Sequence, residues 1–327
     1  MSIFPTKILL AIDGSKEATL AARTAADIAS KTGSELHVVH ARLMLPWADY
    51  STAGAPTSNP VDAEEARERL MRWLDDQVKQ IEAEGGNVAQ AYLRLGRPEE
   101  GIVTVAEEIV SLAEEIGAGL IAIGSRGLGG IRRALMGSVS DPVVRHAHCP
   151  VMVVRGESQE ERAAKIFPTK VLLAIDGSEE SELAARTAAD LADKTRSDLH
   201  VVFVGPSTGD IGMGTPQIAD IPAPAQEELD EEARRLLDAE VEQVKAAGGT
   251  VAQAHLQTGR PDAEIVALAE EIGAGLIAIG SRGLGGVRRA LMGSVSDSVV
   301  RHAHCPVLVT RKEEPYREEP DQDMFLT

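Results

Sequence analysis

Aromatic side chains are scarce: four Phe, two Trp and three Tyr make up 3% of 327 residues. A core must therefore come from Ala, Val, Leu and Ile, and platforms that stack single-stranded nucleic acid on aromatic rings are disfavoured. Cysteine is scarcer still. Cys149 and Cys305 are the only two, far too few for the disulfide framework of a small secreted protein. Positive charge is also short, with 33 Lys and Arg against 51 Asp and Glu and a net charge of −18. Such a balance offers no broad basic face to nucleic acid or to an anionic membrane. No apolar run approaches the roughly 18 residues of a membrane span. The N-terminal run Ile8–Ile12 closes at Asp13, too soon for a signal peptide. The expectation is a cytoplasmic chain with no nucleic-acid partner and no membrane partner.

What the chain does contain is the same unit twice. FPTKILLAIDGS at Phe4–Ser15 returns as FPTKVLLAIDGS at Phe167–Ser178, and LAARTAAD at Leu20–Asp27 returns at Leu183–Asp190. Leu112–Arg155 matches Leu268–Arg311 at 40 of 44 positions; the exceptions are Ile131/Val287, Pro142/Ser298, Met152/Leu308 and Val154/Thr310. Two copies of one domain of about 150 residues follow, each long enough to bury its own core. The boundaries read as a first domain at 1–155, a polar linker at 156–166, a second domain at 167–311 and an acidic tail at 312–327. The spacing between copies falls from 163 residues (Asp13 to Asp176) to 156 (Gly124 to Gly280). The first copy thus has seven extra residues after Arg97-Pro98, where IVTVAEE precedes the similar IVSLAEE. Seven residues is about two helical turns, so the insertion should lengthen a helix by about 10 Å while keeping phase.

Within a copy, strand and helix signals alternate. Lys7–Asp13 is a short apolar run ending in Asp-Gly-Ser, which suits a buried strand. Leu20, Ala21, Thr24, Ala25, Ile28 and Ala29 share one helical face. Further strands are expected at Glu35–Ala41, Asn87–Leu95, Gly119–Gly124 and Pro150–Arg155, with helices striped by Ala66 to Ile81, opened by Pro98, and at Ser138–His146. This is an α/β pattern: two tandem doubly wound parallel five-stranded sheets, Rossmann-like, with helices on both faces. Ligands of such sheets bind outside the carboxyl ends of the strands, near a switch in strand order. Asp13 and Gly124 stand at two such ends. The fifth strands are short apolar edges that need covering, so the two are expected to pair with each other.

After the fourth strand comes GSRGLGGIRRALMGSVSD (Gly124–Asp141), repeated at Gly280–Asp297 with Val287 for Ile131. Three features point to an anion. Four glycines in seven residues let backbone N–H groups approach a ligand. Ser138 with Asp141 has the form of a helix N-cap, and helix N-termini favour phosphate. Arg126, Arg132 and Arg133 against Asp141 give a local charge of +2, repeated by Arg282, Arg288 and Arg289 against Asp297. The glycines alone would equally suit a flexible loop before an ordinary capped helix. Neither copy is a P-loop, since G-x-x-x-x-G-K-[ST] is absent. Nor is it the dinucleotide fingerprint, which follows the first strand and not the fourth.

Gly124-x2-Gly127-x9-Gly137-Ser138 and Gly280-x2-Gly283-x9-Gly293-Ser294 resemble the G-x2-G-x9-G-[ST] signature of ATP-binding universal stress proteins. The Ile-Asp-Gly-Ser that ends the first strand and the closing His-Cys-Pro-Val are similar to that family too. The resemblance covers nearly the whole chain outside linker and tail. It implies a doubly wound five-stranded fold and ATP as the ligand. By the same resemblance Asp13 and Asp176 would contact the nucleoside, and backbone at Ala41 and Val204 would pair with adenine. The glycines and serine of each loop would hold ribose and phosphates: Gly124, Gly127, Gly130, Gly137 and Ser138, and Gly280, Gly283, Gly286, Gly293 and Ser294. Arg126 and Arg282 add charge to the same loops. Family dimers resemble the expected pairing of fifth strands, so the chain would already contain an intramolecular pseudo-dimer, with a homodimer of chains left open.

Other candidates weigh less. A divalent cation such as Mg could arrive with the phosphates, but no carboxylate cluster would bind one alone. Asp13 and Asp176 also suit plain turn residues accepting N–H bonds within Asp-Gly-Ser. His146, His148 and Cys149, with His302, His304 and Cys305, lack a second ligand group at zinc spacing and read as a helix end followed by a strand. Ser125 and Ser281 have no nucleophile elbow around them and read as polar loop serines. The acidic runs Asp62–Glu68 and Glu227–Glu232 suit first turns of helices. The functional expectation is a nucleotide-dependent sensor or regulator with at most slow hydrolysis and no assigned catalytic residue. The alternatives are an ATPase or adenylyl-transfer enzyme, and an assembly scaffold with vestigial sites.

Overall fold

The computed structural model describes residues 7–43, 63–96, 103–127, 136–155, 167–206, 223–246, 248–283 and 292–311. In the first half, β1 (Lys7–Ala11), α1 (Lys16–Thr32), β2 (Glu35–Leu43), α2 (Ala63–Ala83) and β3 (Val88–Gly96) are followed by α3 (Val103–Ile116), β4 (Leu120–Gly124), α4 (Ser140–His146) and β5 (Val151–Val154). In the second half, β6 (Lys170–Ile175), α5 (Glu179–Thr195), β7 (Asp198–Gly205), α6 (Ala223–Ala246) and β8 (Val251–Thr258) are followed by α7 (Pro261–Ile272), β9 (Ala274–Gly280), α8 (Ser294–His302) and β10 (Val307–Thr310).

Among the described residues the strands form one sheet of ten in the order β3-β2-β1-β4-β5-β10-β9-β6-β7-β8. Each half is parallel throughout, and the order reverses between β1 and β4 and again between β6 and β9. The halves join where β5 and β10 run antiparallel, with Met152 opposite Leu308. The two five-stranded sheets are therefore continuous through their fifth strands. Both central side chains at this seam are buried, so each covers the other's edge. Asp27 on α1 adds a tie by accepting the Phe167 backbone N–H at 3.0 Å.

Alternation along β1 explains the two layers. Ile8 and Leu10 face a core shared with α1 and α2, whereas Leu9 and Ala11 face one shared with α3 and α4. Ser15 caps α1 by accepting the Ala18 N–H, and Gly33 ends it in the left-handed region at φ 72°. Ser178 repeats the N-cap for α5, but there the left-handed position falls to Arg196, at φ 56°. Val103–Glu108, inside the seven-residue insertion, is helical. The helix α3 has 14 residues where α7 has 12, a described excess of about 3 Å. The rest of the expected extension, residues 97–102, lies outside the described residues.

Candidate functional site

The strand ends at the switch in order meet in a turn and a glycine segment. In the turn after β1, Asp13 Oδ1 accepts the Ser15 N–H at 2.9 Å. In the second half, Asp176 Oδ1 accepts both the N–H and the hydroxyl of Ser178, at 3.1 and 2.6 Å. The turn-residue reading of these aspartates is thus satisfied through Oδ1. Their Oδ2 atoms lie against the glycine segment: a β-carbon on Gly127 or Gly283 would collide with Asp13 Oδ2 or Asp176 Oδ2. Absence of a side chain is what allows this approach.

The two ends of the signature close on each other. Gly137 N–H donates to Ser125 O at 2.8 Å, and Gly293 N–H donates to Ser281 O at 2.7 Å. Ser15 Oγ donates to Arg126 O at 3.2 Å, tying turn to segment, and Ser178 Oγ, whose proton goes to Asp176, lies 3.3 Å from Arg282 O. In the second half these elements border a cleft of about 480 Å³, within the range of small-molecule sites. Asp176, Val204, Gly280, Arg282, Gly283, Gly293 and Ser294 all line it. In the first half Asp13, Arg126, Gly127 and Gly137 come together, and Ala41 packs on the same side of the sheet as Val204. Gly130, Gly286 and the arginines at 132, 133, 288 and 289 lie outside the described residues.

Sequence reasoning missed the apolar wall of the cleft, made by Ala174, Val202, Ile265, Ile279 and Met292. The signal was present, because Val202 and Val204 are two residues apart and so share a strand face.

Several expectations need correction. Ser138 does not cap a helix. The residue before α4 is Val139, in the right-handed region with no side-chain cap, and α8 is preceded by Gly293, so that Ser294 is its first helical residue. Asp141 and Asp297 instead bond Arg145 and Arg301 one turn on, each at 2.7 Å; this ion pair takes the carboxylate that a cap would use. The local charge is also lower than +2, because Arg126 pairs with Glu17 at 3.5 Å and Arg282 with Glu180 at 3.1 Å. Gly124 and Gly280 have a packing role. A β-carbon at Gly124 would sit 2.9 Å from the Ala18 nitrogen, and one at Gly280 would sit 2.9 Å from the Glu180 carbonyl carbon. Ser125 and Ser281 are not solvated loop residues; they are 1% and 0% exposed at the strand ends. His148 and His304 each meet a glutamate, Glu114 and Glu270, and His302 Nδ1 lies 2.8 Å from the Ser298 carbonyl within its own helix.

The halves differ behind the aspartate turn. In the first, Trp73 lies 4.4 Å from His40, ring centre to ring centre, and against Gly14. His40 donates from Nδ1 to the Ile12 carbonyl at 2.8 Å. Burial pushes its pKa below the ordinary histidine value, more than that bond raises it. At the equivalent positions the second half has Leu236 and Phe203. There Glu240 is buried behind Gly177, and its carboxyl is held above the usual range by desolvation, then by Glu182 and Asp176.

Comparison with known proteins is consistent along the chain. The model of the universal stress protein family matches residues 5–155 and again 168–311. A universal stress protein of Mycolicibacterium smegmatis is 30% identical over 311 residues, covering 93% of this chain and 96% of the relative. One from Mycobacterium tuberculosis is 31% identical over 315 residues with the same coverage, 93% and 96%. The crystal structure of a universal stress protein from Archaeoglobus fulgidus aligns with a TM-score of 0.66 at 24% identity, over 94% of this chain and 98% of that one, a likeness of fold. Among the described residues no helix is long and apolar enough to cross a membrane.

Proposed function

The chain belongs to the universal stress protein family, and we propose that it is a cytoplasmic, nucleotide-dependent regulator whose two halves each bind ATP. The observation that carries this reading is the cleft at the strand switch, where the Asp176 carboxylate lies so close to Gly283 that a β-carbon there would collide with it. The chemistry of the lining fits the ligand. An apolar wall suits a flat base, and glycine backbone suits phosphate oxygens. The carboxylate of Asp176 suits the hydroxyls of a ribose. ATP, ADP and AMP differ in phosphate length and charge, so the nucleotide filling the site would change with the state of the cell's nucleotide pool.

Regulation is favoured over fast turnover by the lining itself. Among the described residues of the cleft, Asp176 is the sole candidate base, and its carboxylate already accepts two bonds from Ser178. Slow hydrolysis is compatible with that arrangement; efficient activation of water is not favoured by it. Mg2+ would come with the phosphates.

The test is to denature the purified protein, identify any released nucleotide by mass spectrometry, and titrate the stripped chain with ATP by calorimetry. Two equivalents per chain of similar affinity are expected, because Gly124–Asp141 and Gly280–Asp297 differ at one position. Turnover faster than about 1 s⁻¹ would favour an ATPase or adenylyl-transfer enzyme instead. No released nucleotide and no binding heat would favour an assembly scaffold.

A further inference from the structure

The seam between the halves carries more than a strand pair. Arg145 on α4 bonds Asp141 through Nε at 2.7 Å and Nη2 at 3.1 Å, and its Nη2 also reaches Asp297 of the other half at 3.4 Å. Arg301 on α8 mirrors this, bonding Asp297 at 2.7 and 3.0 Å and lying 3.5 Å from Asp141. Two further arginines cross the seam. Arg155, directly after β5, donates through Nη1 to the Arg301 carbonyl, and Arg311, directly after β10, donates through Nη1 to the Arg145 carbonyl.

Both accepting carbonyls belong to the last turns of α4 and α8, where unpaired carbonyl groups concentrate negative potential. A guanidinium from the opposite half therefore caps each of these helices at its C-terminal end. The other ends are joined to the glycine signature, through Asp141 N–H to Gly137 O at 3.0 Å and Asp297 N–H to Gly293 O at 2.9 Å. With only 7 and 9 residues, each helix is too short to absorb a shift at one end without moving the other. Charge-assisted bonds to these half-buried carbonyls are also strong enough to set such a position.

We infer that Arg155 and Arg311 are positioning residues acting in trans: Arg155 sets the glycine segment of the second-half site, and Arg311 sets that of the first. This deepens, and rests on, the nucleotide-binding reading. It makes each site incomplete without the other half, and it predicts an effect on the far site with the near one spared. That pattern is the opposite of what proximity along the chain suggests, since Arg155 follows the strand whose Val154 carbonyl accepts the Ser125 N–H of its own half.

The experiment uses full-length chains with one site silenced. Gly127→Glu leaves the second-half site and Gly283→Glu leaves the first; each is combined with Arg155→Ala, Arg155→Lys or Arg311→Ala and titrated with ATP. Arg155→Ala should weaken the second-half site about tenfold and leave the first within about twofold, with Arg311→Ala giving the mirror image. Arg155→Lys, which keeps the charge and one donor, should recover most of the loss. Hydrogen exchange on the nucleotide-free chain is an independent readout: Arg155→Ala should speed exchange in Ser294–His302 and not in Ser140–His146. Equal loss at both sites, loss at the near site alone, or unchanged affinity and exchange would overturn the inference. If Arg155→Ala folds poorly, Arg155→Lys carries the same comparison, with a smaller loss confined to the second-half site. Failure of the nucleotide reading itself would look different, as absence of ATP uptake by the unaltered chain.

Discussion

Adding one carbon to Gly283 separates binding from architecture. A β-carbon there would collide with Asp176 Oδ2, and the next nearest atom outside the adjoining residues is Asp176 Cγ at 3.4 Å. Among the described residues only the carboxylate must yield. Its Oδ1 is engaged with Ser178 N–H at 3.1 Å and Ser178 Oγ at 2.6 Å, and swinging it weakens both. Bonds to a charged acceptor are worth about 1.5–3 kcal/mol when intact. Partial loss, with water replacing what is exposed, should cost about 1–2 kcal/mol of stability. The helix cap survives, because Ser181 N–H still bonds Ser178 Oγ. If the same carboxylate holds the nucleoside, Gly283→Ala paired with Gly127→Ala should weaken ATP binding at least tenfold. Chemical denaturation reads the first quantity and calorimetry the second. A double variant that loses the expected stability but binds ATP like the unaltered chain would reduce the aspartates to turn residues. One that loses neither would refute the geometric argument.

Gly280→Ala should act the other way round: its β-carbon meets backbone atoms of Glu180 and Ser181 at 2.9 and 3.0 Å, so chemical denaturation should show stability lowered by about 1–3 kcal/mol through overpacking. Arg196→Gly should stabilise the chain by about 1 kcal/mol, because the exposed Arg196 holds a left-handed conformation at φ 56° that Gly33 fills in the first half. Glu240→Gln should raise the urea midpoint at pH 7. The folded carboxyl titrates above its unfolded value, so ionised Glu240 costs stability as pH rises past about 4.5, and the gain should shrink toward pH 4. His40→Phe, the residue of the second half, should flatten part of the stability lost between pH 7.5 and 5.5. The folded pKa lies below the unfolded one, so the unfolded chain gains protons first as pH falls through about 6.5.

The strands and the site's location were legible because their signals are local or repeated. Ile8–Ile12 is a continuous apolar run, and Asp13 just beyond β1 and Gly124 at the end of β4 stand on either side of the order switch. Pairing of the two fifth strands was legible from their apolar edges and the resemblance to family dimers, whereas the register that sets Met152 opposite Leu308 was not. Ser138 was misjudged because the N-cap pattern competes with an equally local pattern, Asp141 four residues before Arg145, and the two carboxylate uses exclude each other. The partners of Arg126 and Arg282 were invisible for a different reason. Glu17 and Glu180 lie over 100 residues away in sequence and approach only when the first helix of each half packs over the fourth strand. Long-range charge pairing leaves no periodicity to read.

That packing also explains why the signature is so glycine-rich while its glycines do different work. Gly124 and Gly280 admit the start of a helix, and Gly127 and Gly283 admit an aspartate. The pattern looks uniform in sequence, but its first position is fixed by the fold and its second by what faces the cleft. The duplicated halves agree at both, and they diverge where Trp73, His40 and Gln77 give way to Leu236, Phe203 and Glu240. The cleft side is not identical either, since Val204 and Ser181 stand where the first half has Ala41 and Ala18; what both copies keep there is the aspartate and the signature glycines. A scaffold with vestigial sites would have no reason to hold Gly127 and Gly283 against a carboxylate in both halves, since neither glycine has the positive φ that would require one for the backbone.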